Sequence, residues 1–186
     1  AADPTTRLQN AVQAANDAVY TSAHDDRAHA GMGTTLEATA IVGRTAYIAS
    51  IGDSRAYVVH QGELLQITQD HSLVGEQIRA GLITKEQARA HPQRNVITRA
   101  LGTDPNMAAD PYEFDAEPGD RLLLCSDGLT AMLEDGHIAE TLSAYRDPAV
   151  AARMLIDAAN DAGGHDNISV VIVDIDERSL KEQGRW

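Results

Sequence analysis

The chain has a single cysteine, Cys125, among 186 residues. An internal disulfide is therefore excluded, and a reducing compartment fits. Aromatic residues make up only 4% of the sequence, too few to build a stacking platform for bases. Cations are scarce as well, with 15 Lys and Arg against 28 Asp and Glu, a formal net charge of -13. Counterion release needs clustered cations, so a general binder of nucleic acid or of an anionic membrane is excluded. The acidity suits a cation site, although solubility alone explains it equally well. No apolar run approaches the roughly eighteen residues of a membrane span, and no signal-peptide pattern is visible, so we expect a cytoplasmic protein. Internal repeats and low-complexity segments are missing too.

What is present centres on Leu122-Leu123-Leu124-Cys125, an apolar run between a Pro118-Gly119-Asp120 turn and Ser126-Asp127-Gly128. A short apolar run bounded by turns reads as a buried strand. Asp disfavours strand interiors and Gly ends them, which puts the Asp127 carboxylate at the strand tip. The pattern recurs where Ala46–Ile51 runs into Gly52-Asp53-Ser54-Arg55, and where Gly163-Gly164-His165-Asp166-Asn167 runs into Ile168–Val173. Asp53, Asp127 and Asp166 are thus candidate ligands for a hard cation, since carboxylate and water shells suit Mg²⁺ or Mn²⁺. Cys125 lies within the apolar run and reads as a buried, inert thiol.

In chain order, Thr5 or Thr6 caps a helix to about Ala23 with Leu8, Val12, Ala15, Val19 and Tyr20 at helical spacing. Strands Leu36–Val42, Tyr47–Ile51, Ala56–His60 and Glu63–Ile67 follow, joined by tight turns, and read as a four-stranded antiparallel meander. Asp70 or Ser72 caps a helix from Leu73 to about Ala80, and Thr84 with Gln87 forms a capping box for a second. The insert from about Asp70 to Gly102 reads as a flap within a single domain. Tyr112–Asp115 and Arg121–Ser126 read as a hairpin. Asp135 caps a helix to about Tyr145, and Asp147-Pro148 opens a longer one closed by Gly163-Gly164. Ile168–Ile175 has the β-branched density of a central strand, and Ser179–Trp186 reads as a fraying tail. Consecutive strands with helices set apart predict an α+β fold, a central antiparallel β-sandwich flanked by helices.

Six motifs then occur in order: Gly33-Thr34-Thr35, Gly52-Asp53-Ser54-Arg55-Ala56-Tyr57, Thr68-Gln69-Asp70-His71-Ser72, His91 to Gly102, Ser126-Asp127-Gly128-Leu129 and Asp166-Asn167-Ile168-Ser169. Together they resemble the bacterial PP2C-like (PPM) serine/threonine phosphatases over nearly the whole chain. The resemblance implies an α-β-β-α sandwich with a mobile flap at about 70–102. It implies hydrolysis of phosphoserine and phosphothreonine on proteins by a water activated at a pair of Mn²⁺ or Mg²⁺ ions. Asp127 and Asp166 match carboxylates on that pair, and Asp53 matches a carboxylate of a third, weaker metal. Ser54 and Arg55 read as structural supports, and Asn167 as the residue that orients the Asp166 turn.

One departure stands out. The family opens with two strands carrying an Asn-(Glu/Gln)-Asp segment and an Asp-Gly-x-Gly segment, and neither occurs in Ala1–Trp186. We expect an N-terminally shortened phosphatase, weak or inactive alone, whose partners besides phosphoproteins are the missing N-terminal segment or a second copy of the chain. The alternative is a catalytically silent regulatory module on the same fold. Bland readings stay open for single residues. Asp53 and Asp127 also read as turn or helix caps, His71 and His165 as hydrogen-bonded structural residues, His91 as loop architecture, Arg94 and Arg99 as solvated flap arginines. Asp157, Asp161 and Asp166 also read as the polar face and end of one helix.

Overall fold

The computed structural model describes residues 3–177. The expected tail, Ser179–Trp186, lies outside them. The α+β expectation holds: antiparallel sheets combine with six α-helices among the described residues. The helices are α1 (Pro4–Asp25), α2 (Leu73–Arg79), α3 (Lys85–Arg89), α4 (Asp127–Thr130), α5 (Asp135–Ala144) and α6 (Pro148–Asp161). The strands are β1 (Leu36–Val42), β2 (Thr45–Ile51), β3 (Arg55–His60), β4 (Glu63–Gln66), β5 (Asp110–Asp115), β6 (Arg121–Cys125) and β7 (Val170–Asp174).

The expected meander is corrected. β1, β2 and β5 form one sheet in the order β1-β2-β5, while β3 and β4 belong to a second sheet in the order β4-β3-β6-β7. The chain changes sheet at Gly52–Ser54, where Gly52 has a φ of +106°. The expected hairpin of β5 with β6 is corrected for the same reason, because the two strands lie in different sheets. A turn signal marks where the chain reverses but not which sheet receives the next strand. β7, expected at the centre, lies at an edge, with Val171 54% and Val173 36% exposed. β-branched residues favour a half-covered pleated surface at either place.

The described residues pack as two compact units. One draws on residues 3–40, Tyr47–Ser54 and Gln69–Glu113. In it, Leu8, Val12 and Ala15 of α1 pack with Ala49, Ile51, Leu101 and Ala109. Helix α1 is capped two or three residues earlier than the threonines suggest. Asp3 is the cap, accepting from the Thr6 N–H at 3.1 Å, and Pro4 takes the first helical position. Asn16, fully buried on the same helix, accepts from the Gly102 N–H at 2.8 Å and donates to the Asp104 carbonyl at 2.9 Å. Ser72 is the cap of α2, and the Thr84–Gln87 capping box opens α3 as expected.

The second unit draws on Ile41–Ala46, Arg55–Thr68 and residues 114–177. Its inner strand β6 runs antiparallel between β3 and β7. Side chains alternate across it. Leu123 and Cys125 face Leu129, Leu133, Ile138, Leu142 and Leu155 from the helical segments. Leu122 faces the other way, onto Ala46, Val58, Ala116 and Ile175. Cys125 is buried, as expected. Arg121, nearly buried, grips its register partner Asp174 through Nε at 2.5 Å and donates to the Leu142 and Tyr145 carbonyls at 2.8 and 2.6 Å. It thereby satisfies carbonyls at the end of α5 that no helical N–H can reach.

Leu123 is fully buried and Val171 half exposed, so truncations should separate. We expect Leu123→Ala to lower stability by about 2–5 kcal/mol, and Val171→Ala to stay within about 0.5 kcal/mol. Urea unfolding followed by circular dichroism measures both.

Candidate functional site

Asp127 occupies the first position of α4, directly after β6. Ser126 before it makes no side-chain cap bond, because its hydroxyl is committed elsewhere. Ser126 Oγ donates to the Asn167 carbonyl at 3.1 Å and accepts from the Ser169 N–H at 3.0 Å. The Ser126 N–H donates to the Ser169 carbonyl at 3.1 Å. Gly128 completes the seam, since a Cβ there would collide with the Asn167 carbonyl oxygen. The loop leaving β6 is therefore stitched to the loop entering β7. Because Cys125 is the register partner of Val170, Asp127 and Asp166 project from neighbouring strand ends. Asp166 is exposed and its Oδ1 accepts from the Asn167 backbone N–H at 2.7 Å. His165, beside it, is exposed.

Asp53 belongs to the other unit and is half-buried. Its turn is built from three motifs. Gly52 lies against Thr35, where any Cβ would collide with the threonine side chain, and its positive φ suits glycine. Thr35 Oγ1 and Ser54 Oγ are 2.9 Å apart and share a hydrogen bond. His71 reaches in from the third motif, its Nδ1 accepting from the Gly52 N–H at 3.0 Å. Of the expected supports, Ser54 holds this turn. Arg55 instead donates to the Tyr57 hydroxyl at 2.9 Å, which donates to Asp135 at 3.2 Å.

Two acidic residues escaped the sequence reading. Glu37, on β1, accepts from Ser50 Oγ at 2.5 Å, while its Oε2 is buried without a hydrogen-bond partner. Burial pushes its carboxyl up to about 8, with the nearby Asp70 charge adding to the rise and the Ser50 bond opposing it. A lone Glu inside Leu36–Val42 was the available signal. Asp110, on β5, receives Arg99 Nη1 at 2.7 Å and lies 3.0 Å from His71 Nε2. Burial raises its carboxyl, but the Arg99 and His71 hydrogen bonds outweigh that and hold it below the ordinary range. Arg99 is thus paired, not a solvated flap arginine, whereas Arg94 is exposed.

Within neither unit do three or more His, Cys, Asp or Glu side chains, among the described residues, form a group able to hold a metal ion. The donor chemistry at the β6–β7 end nonetheless fits a hard divalent cation. Two carboxylates stand on loops tied to each other, and His and Cys ligands are not needed.

Residues 1–176 match the family model described as stage II sporulation protein E. The chain is 40% identical over 180 residues to a serine/threonine phosphatase stp of Listeria innocua, covering 97% of this chain and 70% of that protein. The chain belongs to the bacterial PP2C-type (PPM) serine/threonine phosphatase family. Its fold matches the crystal structure of the Mycobacterium tuberculosis serine/threonine phosphatase PstP/Ppp with a TM-score of 0.89 at 39% identity, over 95% of this chain and 74% of that one. A second structure, the catalytic domain of PstP in complex with two manganese ions, matches with a TM-score of 0.87 at 37% identity, over the same shares of 95% and 74%. Among the described residues of this chain no helix is long and apolar enough to cross a membrane.

Burial of Glu37 carries a pH signature. The unfolded carboxyl releases its proton near 4.5 and the folded one near 8. Between those values the folded state binds more protons, so stability falls as pH rises and levels off above about 8. We expect Glu37→Gln to abolish this part of the slope, read from urea midpoints between pH 5 and 9; an unchanged slope would contradict the assignment.

Proposed function

We propose that the chain is the phosphatase part of a protein that hydrolyses phosphoserine and phosphothreonine on other proteins with Mn²⁺ or Mg²⁺. The observation that carries this reading is the seam of Ser126 and Gly128 against Asn167 and Ser169, which sets Asp127 and Asp166 at neighbouring strand ends. Family membership and the manganese in the PstP structure support the choice of metal. Asp127 and Asp166 would hold the core ions, and Asp53 a third. When bound, such ions supply Lewis acidity that activates water and neutralises charge developing on the phosphoryl oxygens. The chain's own residues contribute position. Ser126 fixes the Asp127 loop to the Asp166 loop, Asn167 orients Asp166, and buried Cys125 stays out of the chemistry. The flap, about 70–102, would influence access of a phosphorylated segment. A single buried cysteine makes the cytoplasm the compartment we assign.

Two carboxylates at one strand end are few for a two-metal centre. We therefore infer that this chain alone binds metal weakly and hydrolyses little, and that the remaining ligands come from a further N-terminal segment or a second copy. The second reading is a silent regulatory module on the same fold.

Mn²⁺ titration calorimetry paired with a phenyl-phosphate assay tests the assignment. Asp127→Asn and Asp166→Asn should each weaken Mn²⁺ binding by at least about tenfold while leaving the thermal midpoint unchanged or higher. Gly128→Ala should weaken binding to a similar degree by prising the two loops apart. Full turnover by the isolated 186-residue chain would refute the inferred weakness. Metal binding indifferent to both Asp substitutions would leave the regulatory module as the surviving reading.

A further inference from the structure

His71 is buried, yet it is not a passive filler of the core. Its backbone N–H donates to the Gly52 carbonyl at 2.7 Å, and its ring Nδ1 accepts from the Gly52 N–H at 3.0 Å. One residue therefore holds the two peptide units that flank Gly52: the ring takes the Ile51–Gly52 N–H, and the backbone N–H takes the carbonyl of the Gly52–Asp53 peptide. Accepting at Nδ1 requires that nitrogen to be bare, so the neutral ring carries its proton on Nε2. Nε2 faces Asp110 Oδ2 at 3.0 Å, an acceptor that stabilises this tautomer. Arg99 Nη1 donates to Asp110 Oδ1 at 2.7 Å and lies 3.0 Å from His71 Nε2, and Nη2 donates to the Ala108 carbonyl. The Asp110 carboxylate is thus held in place and ionised.

The same histidine closes both ends of the 70–102 segment. The Thr98 N–H donates to the His71 carbonyl at 2.8 Å, and the Leu73 N–H donates to the Val96 carbonyl at 2.9 Å. Ser72 and Ile97 form an antiparallel bridge between them. His71 thus links that segment to Gly52.

We propose that His71 is the positioning residue for Asp53, gripping the two peptides that flank Gly52 through ring and backbone, with the Asp110 carboxylate selecting its tautomer. This rests on the reading of Asp53 as a ligand for a third metal. The carboxylate direction depends on the backbone conformation at Gly52, which the two flanking peptides set, and the ring bond is the part of the grip that a side-chain change can remove.

The test uses the ¹⁵N-labelled 186-residue chain and Mn²⁺ alone as the probe. Without metal, long-range imidazole spectra should show His71 as the Nε2–H tautomer, and the Gly52 amide should be protected from exchange. In Asp110→Asn, an amide N–H facing Nε2 favours the Nδ1–H form, which cannot accept from Gly52. Exchange at Gly52 should then quicken at least about tenfold. The Mn²⁺ concentration that broadens the Asp53 amide should rise by about 10–100-fold, the usual size of such outer contacts. His71→Leu should do the same, whereas His71→Asn, whose Oδ1 can replace Nδ1 as acceptor, should stay close to the parent and be insensitive to Asp110→Asn. An Nδ1–H or doubly protonated ring, or equal Gly52 exchange in the parent, His71→Leu and Asp110→Asn, would overturn the proposal. If Asp53→Asn leaves Mn²⁺ broadening unchanged, the third-metal reading falls, while the tautomer and exchange results still decide the role of His71.

Discussion

Backbone approach closer than a side chain would allow holds both acidic turns of this protein. Gly52 lies where a Cβ would strike Thr35, and Gly128 where one would strike the Asn167 carbonyl. At each place a hydroxyl bonds across the contact: Thr35 to Ser54, and Ser126 to Asn167 and Ser169. A carboxylate is costly to desolvate and repels its like, so the three acidic turns need support from the backbone around them. The loops hold them there, and the loops are held by peptide contacts that only glycine permits.

Two other carboxylates show how partners decide the state of an acid. Glu37 and Asp110 both lie on strands of the β1-β2-β5 sheet. Glu37 has one short bond from a neutral serine and an oxygen without a partner, and burial drives it toward the protonated form. Asp110 meets a guanidinium and an imidazole, and it remains ionised. The difference matters for the Asp53 turn, because an ionised Asp110 favours the His71 proton on Nε2 and leaves Nδ1 to accept from Gly52. The second unit uses the same logic for stability, with Arg121 satisfied by Asp174 and by helix-end carbonyls.

Much of the local structure could be read along the chain. Leu36–Val42 matches β1 end to end, the Thr84–Gln87 box opens α3, and Asp147-Pro148 opens α6. These signals act over a few residues, through caps, fixed φ and apolar spacing. Sheet membership was not legible. β2 and β3 follow each other across a short turn yet belong to different sheets, as do β5 and β6. The turn residues that reverse the chain are the same in either case. The site divides in a similar way. Asp53, Asp127 and Asp166 stood out by their Gly-flanked strand ends, but Asp110, Glu37 and the pairing of Arg99 did not, since their partners lie far off in sequence.

By itself, the sequence determined the class of fold, the family, the strand-end carboxylates and the buried state of Cys125, because each depends on short-range pattern or on motifs kept in order. Only the tertiary structure decided that Ser126 bonds the loop before β7, that His71 grips Gly52 and that Arg99 answers to Asp110. Those contacts join residues from about 10 to 40 positions apart. Their existence depends on which strands pair and which loops meet, and hydrogen bonds of about 3 Å cannot be inferred until the backbone has placed both ends.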